Sequence, residues 1–191
     1  IRGLPAIYGL TFIPGVWIES IQLNKGAGSV INGYESIAGQ INVEVRKPEE
    51  AERMFLNAYG NEGGRIEGNA NFAHRFPEEK WSTGVLLHGK NNSVKWDRNK
   101  DGFLDKPLGT GFIGLNRWKY IDPKGMRFQA GVKGTYIDNK GGQFDSFNTQ
   151  PDSLWKMKLS IQRLEGWVKI GKVCKDKPWK SMGLQVLGAS H

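Results

Sequence analysis

The stretch from Trp17 to Lys47, WIESIQLNKGAGSVINGYESIAGQINVEVRK, decides how the rest of the chain is read. Ile18, Ile21 and Leu23 near its start, and Ile41, Val43 and Val45 near its end, predict two strands rich in β-branched and aliphatic residues. Between them Gly26, Gly28 and Gly33 permit positive φ and close chain approach. Val30 to Ala38 leaves room for a short helix, with Gly39 placed to close it. The segment predicts a small α+β unit: strand, glycine-hinged turn, short helix, strand. Gly26-Ala-Gly28 lacks the third glycine of a dinucleotide fingerprint, so no phosphate cradle is read here.

Proline and charge at Lys47-Pro48-Glu49-Glu50 end this unit, and the sequence changes character. Strands are predicted over 53–61, 65–76, 80–91, 112–121, 126–137, 158–170 and 180–189. In the second, Ile66, Gly68, Ala70, Phe72 and Phe76 share one face and Arg65, Glu67, Asn69, Asn71 and Arg75 the other. In the fifth, Met126, Phe128, Ala130, Val132 and Tyr136 oppose Arg127, Gln129, Lys133 and Thr135. The fourth and sixth runs alternate poorly. Alternation alone fits any sheet with one wet face. These runs, however, reach about ten residues or more, against the usual five or six of globular strands. Aromatic residues fall near the strand ends at Phe76, Trp81, Tyr120, Tyr136, Trp167 and Trp179, as in the interfacial girdles of membrane barrels. Two of the connections predicted at one end are long and those at the other end are shorter, the asymmetry of outer-membrane barrels.

Composition agrees with an all-β reading: 191 residues carry 26 glycines and 11% aromatics. No run of about 18 apolar residues predicts a transmembrane helix, which leaves membrane strands open. The net charge of +8 is spread among 19 acids without a long basic cluster, which argues against nucleic acid as partner. A single Cys174 excludes an internal disulfide and a cysteine zinc cluster.

The order IESIQL, KGAGSV, NGYESIAGQINV resembles the end of the plug domain of TonB-dependent outer-membrane receptors. The residues that carry it are Lys25, Gly26, Gly28, Ser29, Asn32, Gly33, Glu35, Gly39 and Asn42. The resemblance covers roughly the first quarter of the chain, and its style is closest to receptors of the Bacteroidota. It implies a mostly β chain in two parts. Residues 1–47 would be the C-terminal part of an α+β plug domain. Residues 48–191 would be the first strands, about seven of some 22, of a transmembrane antiparallel β-barrel. The expectation is a piece of a longer receptor, with an export signal and a TonB-contacting segment upstream of Ile1 and further strands after His191.

The function implied is energised uptake of a scarce ligand, such as an iron–siderophore or other metal complex, across the bacterial outer membrane. Implied partners are the TonB complex of the inner membrane, outer-membrane lipid and the small ligand; no cofactor is required. In that family, charges of the plug meet charges of the barrel wall. Glu35 and Glu44 are therefore expected to pair with Arg65, Arg75 or Arg127, with Arg46 as a further plug charge at this boundary.

Other motifs are weaker. Asp97, Asn99, Asp101 and Asp105, with Gly102 at the sixth position, imitate a calcium loop and mark a candidate calcium site in an outer loop. The twelfth position is Leu108 instead of a bidentate Glu, and a turn closed by Asx side chains is the preferred reading. Gly166 to Lys172 has Walker spacing, but Val173 replaces the magnesium-binding hydroxyl. His74, His88 and His191 show no metal spacing, and no nucleophile elbow or fixed carboxylate pair supports an enzyme. The competing readings are a secreted, soluble β-sandwich that recognises glycans through its aromatics, and an outer-membrane adhesion or structural protein without transport.

Overall fold

Alternating runs of the sequence pair into one long antiparallel meander. The computed structural model describes residues 12–27, 39–77, 80–147, 154–174 and 179–190. Strands β1 (Ile18–Lys25) and β2 (Gly39–Val45) form a two-stranded antiparallel sheet. A turn over Lys47–Ala51, closed by Glu50 N–H and Ala51 N–H donating to the Lys47 carbonyl, leads into the second sheet. Its seven strands are β3 (Met54–Gly60), β4 (Arg65–Arg75), β5 (Trp81–Asn92), β6 (Leu108–Ile121), β7 (Met126–Gly142), β8 (Lys156–Val173) and β9 (Ser181–Ser190). Spatial order follows chain order and every neighbouring pair is antiparallel. The described residues are mostly strand, without an α-helix, and the sheet is open with β3 and β9 at its edges. The helix expected over 30–38 lies outside the described residues, as do Gly28, Ser29, Asn32, Gly33 and Glu35.

All seven expected strands are present, and three are longer than the sequence predicts. β6 begins at Leu108 instead of 112, β7 continues past 137 to Gly142, and β8 runs from Lys156 to Val173. The β7 extension is polar or glycine on both faces, as at Asp138, Asn139 and Lys140, so alternation carries no signal there. Backbone pairing alone continues the ladder from Asp138↔Ser160 to Gly142↔Lys156.

Period-two geometry sends each strand's residues to opposite faces, and the register aligns them in rows. One face carries Leu56, Ala70, Leu87, Gly114, Gly134 and Leu164 in a single row. The other carries Asn57, Asn69, His88, Ile113, Thr135 and Arg163. The face of Asn69 is the buried one and also holds Leu86, Ile113, Leu115, Ile137 and Ile161, while the opposite, largely apolar face is exposed. Asn69 is 7% exposed whereas Ile66 on the opposite face is 66% exposed. Asn71, His88, Arg117 and Thr135 are buried, while Leu56, Phe72, Val132, Leu164, Leu184 and Val186 are exposed. Within the row, Asn69 donates to Asn57 at 3.1 Å, and Nδ1 of His88 donates to Oδ1 of Asn69 at 2.8 Å.

Aromatic rings gather on the apolar face at the end of the sheet that carries the β4–β5 and β6–β7 turns. Trp81 lies 4.9 Å from Tyr120 and 6.0 Å from Phe128, and Phe76 stacks on Trp118 at 6.0 Å. At the other end the two longer connections are knit together. Leu104 N–H donates to Gly142 O at 3.0 Å, Phe144 N–H to Gly102 O at 2.8 Å, and the rings of Phe103 and Trp155 meet at 6.3 Å.

On the buried face the indole of Trp167 lies against Gly131, its partner across β7 and β8, where an added Cβ would fall within the ring. A Gly131→Val substitution must displace that indole. It is expected to destabilise the sheet by about 1–3 kcal/mol, the usual cost of overpacking. A denaturant midpoint equal to that of the unaltered protein would show that the indole does not lie there.

Candidate functional site

The buried face of the seven-stranded sheet is where the chain brings its chemistry together, because the β1–β2 unit and the segment before it rest on it. A 3₁₀ turn at Gly15–Trp17 follows Pro14 and ends in β1. It delivers Trp17, 1% exposed, into a cluster with Leu86, Ile113 and Leu115, flanked by Val16, Val45 and Trp167. Phe12 fills a second cluster with Ile137 and Ile161, flanked by Leu159. Pro48 fits against Gly84, where an added Cβ would stand 3.2 Å from the proline's own Cβ.

These two anchors explain why the fourth and sixth expected strands alternate poorly. Ile113 and Leu115 of β6, and Leu159 and Ile161 of β8, share the face of Arg117, Lys119, Arg163 and Glu165. They are apolar because Trp17 and Phe12 cover them. Phe12, Trp17, Arg117 and Glu49 were not identified from the sequence as interface residues. The break in alternation was the signal that could have found their contact points.

Polar contacts cross the same boundary. Lys119 of β6 pairs with Glu49 of the connecting turn, and the guanidinium of Arg46 lies 5.1 Å over the ring of Phe55 on β3. The expected charge pairs take other partners. Glu44 accepts from Ser20 Oγ at 3.0 Å instead of meeting Arg65, Arg75 or Arg127. Arg65 pairs with Glu67 on its own strand, and Arg75 donates to the Ala51 carbonyl at 2.8 Å. Both contacts are local: a neighbour on the same face and a nearby carbonyl satisfy the guanidinium before it reaches β2. The Arg127 side chain forms no hydrogen bond or ion pair with any described residue, and Glu35 lies outside the described residues. Within the sheet, Glu165 sits between Arg163 Nη2 at 2.8 Å and Lys133 Nζ at 3.5 Å.

Of the motif residues that are described, Lys25 and Gly39 pair as the last rung of β1–β2, and Gly26 follows with φ +82°. Asn42 donates to Gln22 at 3.2 Å across the pair. These glycines and amides shape the β1–β2 unit.

The acidic loop closes on itself. Asp97 accepts from Gly102 N–H at 3.0 Å, Asp105 from Arg98 N–H at 2.8 Å, and Asp101 from Phe103 N–H at 2.8 Å. Asn99 and Asp101 hydrogen-bond each other at 2.8 Å. Among the described residues no group of three or more His, Cys, Asp or Glu side chains is arranged to hold a metal ion. The side chains expected as calcium ligands serve as caps for the turn's own N–H groups, as Asx turns do.

Truncating Trp17 to Ala should loosen the β1–β2 unit at a cost of about 3–5 kcal/mol, the range for large buried aromatics. Limited proteolysis should then cleave within 12–47 faster while 54–142 stays protected. Equal protection of both regions would argue that other contacts hold the unit in place. No protein-family model, curated protein or solved structure matches the chain.

Proposed function

We propose that this chain is part of a TonB-dependent outer-membrane receptor, a transporter for energised uptake of a scarce ligand such as a metal chelate. In this reading β1–β2 and the segment before it are the end of the plug domain, and β3–β9 are the opening strands of the barrel wall. One observation carries the reading: the sheet buries a mixed face, with Asn69, Asn71, His88, Arg117 and Thr135 beside the apolar patches under Trp17 and Phe12, and exposes a largely apolar one. A soluble sandwich packs its apolar faces together, so the burial of Asn69 and exposure of Ile66 weigh against a glycan-binding module.

The dimensions support the proposal. On β7 the apolar face runs from Met126 through Phe128, Ala130 and Val132 to Tyr136, close to the roughly ten residues that a tilted membrane strand needs. Past Tyr136 the same face turns polar at Asp138 and Lys140, so β7 would leave the lipid there and continue into the knit outer loops. The ring cluster around Trp81, Tyr120 and Phe128 would mark the opposite interface. The β1–β2 unit would obstruct the lumen, held by Trp17 and Phe12, until the inner-membrane TonB complex loosens it. Ligand capture would fall to the loops at 93–107 and 143–155.

Val132 discriminates between lipid and water. Val132→Arg near the middle of a lipid-facing band should cost about 2–4 kcal/mol and lower the assembled fraction in outer membranes. The same change on a water-exposed face should stay within about 0.5 kcal/mol. Assembly is read by membrane fractionation and the heat-dependent gel shift of barrels, and normal assembly of the variant would contradict the assignment. Deleting residues 1–47 from the full-length protein should open a conducting pore in planar bilayers. Conductance unchanged by the deletion would count equally against it.

A further inference from the structure

The β1–β2 unit does not fill the space beneath it. Between β2 and strands β6 to β9 lies a cleft of about 500 Å³. Its floor is a row set by register: Lys119 of β6, Gln129 of β7, Lys169 of β8 and Gln185 of β9 stand opposite one another across adjacent strands. One rung further, Arg117 and Trp167 form its back wall, on either side of Gly131.

Charge in the cleft is unbalanced. Arg117 is 8% exposed, and its Nε has no hydrogen-bond partner among the described residues, an expensive state for a buried cationic donor. The carboxylate in electrostatic reach of it, Glu19, is shared with Lys47 at 3.5 Å. Lys169 forms no ion pair with a described residue. Glu44 is the carboxylate that lines the cleft, and one of its oxygens already accepts from Ser20.

We infer that this cleft binds an oxyanion group, carboxylate or phosphate, of a small solute. Arg117 and Lys169 supply the charge, Gln129 and Gln185 supply amide donors, and the indole of Trp167 supplies a flat apolar wall. A guanidinium and an ammonium lining one cleft match the oxygens of a carboxylate or phosphate better than they match a neutral polyol. The inference rests on the proposed function only for where the cleft lies on a transport path; the binding chemistry stands without it. On that path, the solute passing between the β1–β2 unit and the sheet is an anion.

The test titrates citrate, and separately pyrophosphate, into the full-length protein by calorimetry at low ionic strength. The protein is kept in detergent if it is extracted from membranes and in buffer if it is not. At least one probe should bind, and added salt should weaken it. Lys169→Gln, an exposed position that leaves folding intact, should weaken binding about tenfold, as loss of a charge-assisted contact does. Arg117→Gln should do the same and Arg117→Lys should recover part of the loss, while Lys158→Gln on the other face should change nothing. Failure of both probes to bind, or equal binding by Lys169→Gln and the unaltered protein, would overturn the inference. In the pore opened by deleting 1–47, a reversal potential under a salt gradient should show anion preference that falls in Lys169→Gln. Absence of any pore would defeat the transport reading while the titrations still decide the cleft.

Discussion

The register of the seven-stranded sheet is the constraint on which everything else depends. Because side chains alternate with a period of two, a slip of one residue in any strand would send its whole polar set to the opposite face. Asn57, Asn69 and His88 hydrogen-bond across three strands in one row, and Lys133, Glu165 and Arg163 do so across β7 and β8. The Asn57–Asn69–His88 row and the Lys133–Glu165 pair form only in the observed pairing. The register is therefore fixed by polar contacts on the buried face, while the exposed apolar side chains contribute shape and area.

That constraint also sets what can dock. On this mixed buried face the described residues provide two apolar grips. Leu86, Ile113 and Leu115 make one patch and Ile137, Ile161 and Leu159 the other, each receiving one aromatic from the segment before β1. Around them the contacts are single polar ones: Glu49 with Lys119, and Arg46 over Phe55. The boundary thus combines localised apolar anchoring with polar contacts and open space.

Much of the sheet was legible in the sequence because alternation survives wherever the two faces meet different environments. β4 shows it most plainly, with Ile66, Ala70 and Phe72 against Glu67, Asn69 and Asn71. It was lost for two physical reasons. Beyond Ile137 both faces of β7 are polar, so only backbone pairing continues and the strand end was placed too early. In β6 and β8 the inner residues are apolar beneath Trp17 and Phe12, a tertiary contact that a local pattern cannot encode. The charge pairs were less legible still. Long flexible side chains take the nearest partner, and Arg65 and Arg75 found theirs at Glu67 and Ala51, short of Glu44. The acidic loop follows the same rule, its carboxylates going to N–H groups within the turn.

The mixture at the boundary has a consequence for how it comes apart. An interface that is apolar throughout resists separation over its whole area, since every contact exposed to water costs free energy in proportion to the surface uncovered. Here the cost is concentrated at Trp17 and Phe12, both of which belong to the short segment immediately before β1. Once those two side chains leave their patches, the remaining polar contacts exchange for water at little net cost, because hydrogen bonds to water replace those given up. Among the described residues, a pull applied along the chain from the N-terminal side reaches Phe12 first and Trp17 next, before it loads β1–β2 as a pair. The arrangement thus places its strongest resistance at the end from which a pull along the chain would arrive, and leaves the cleft beside β2 nearly free of anchoring.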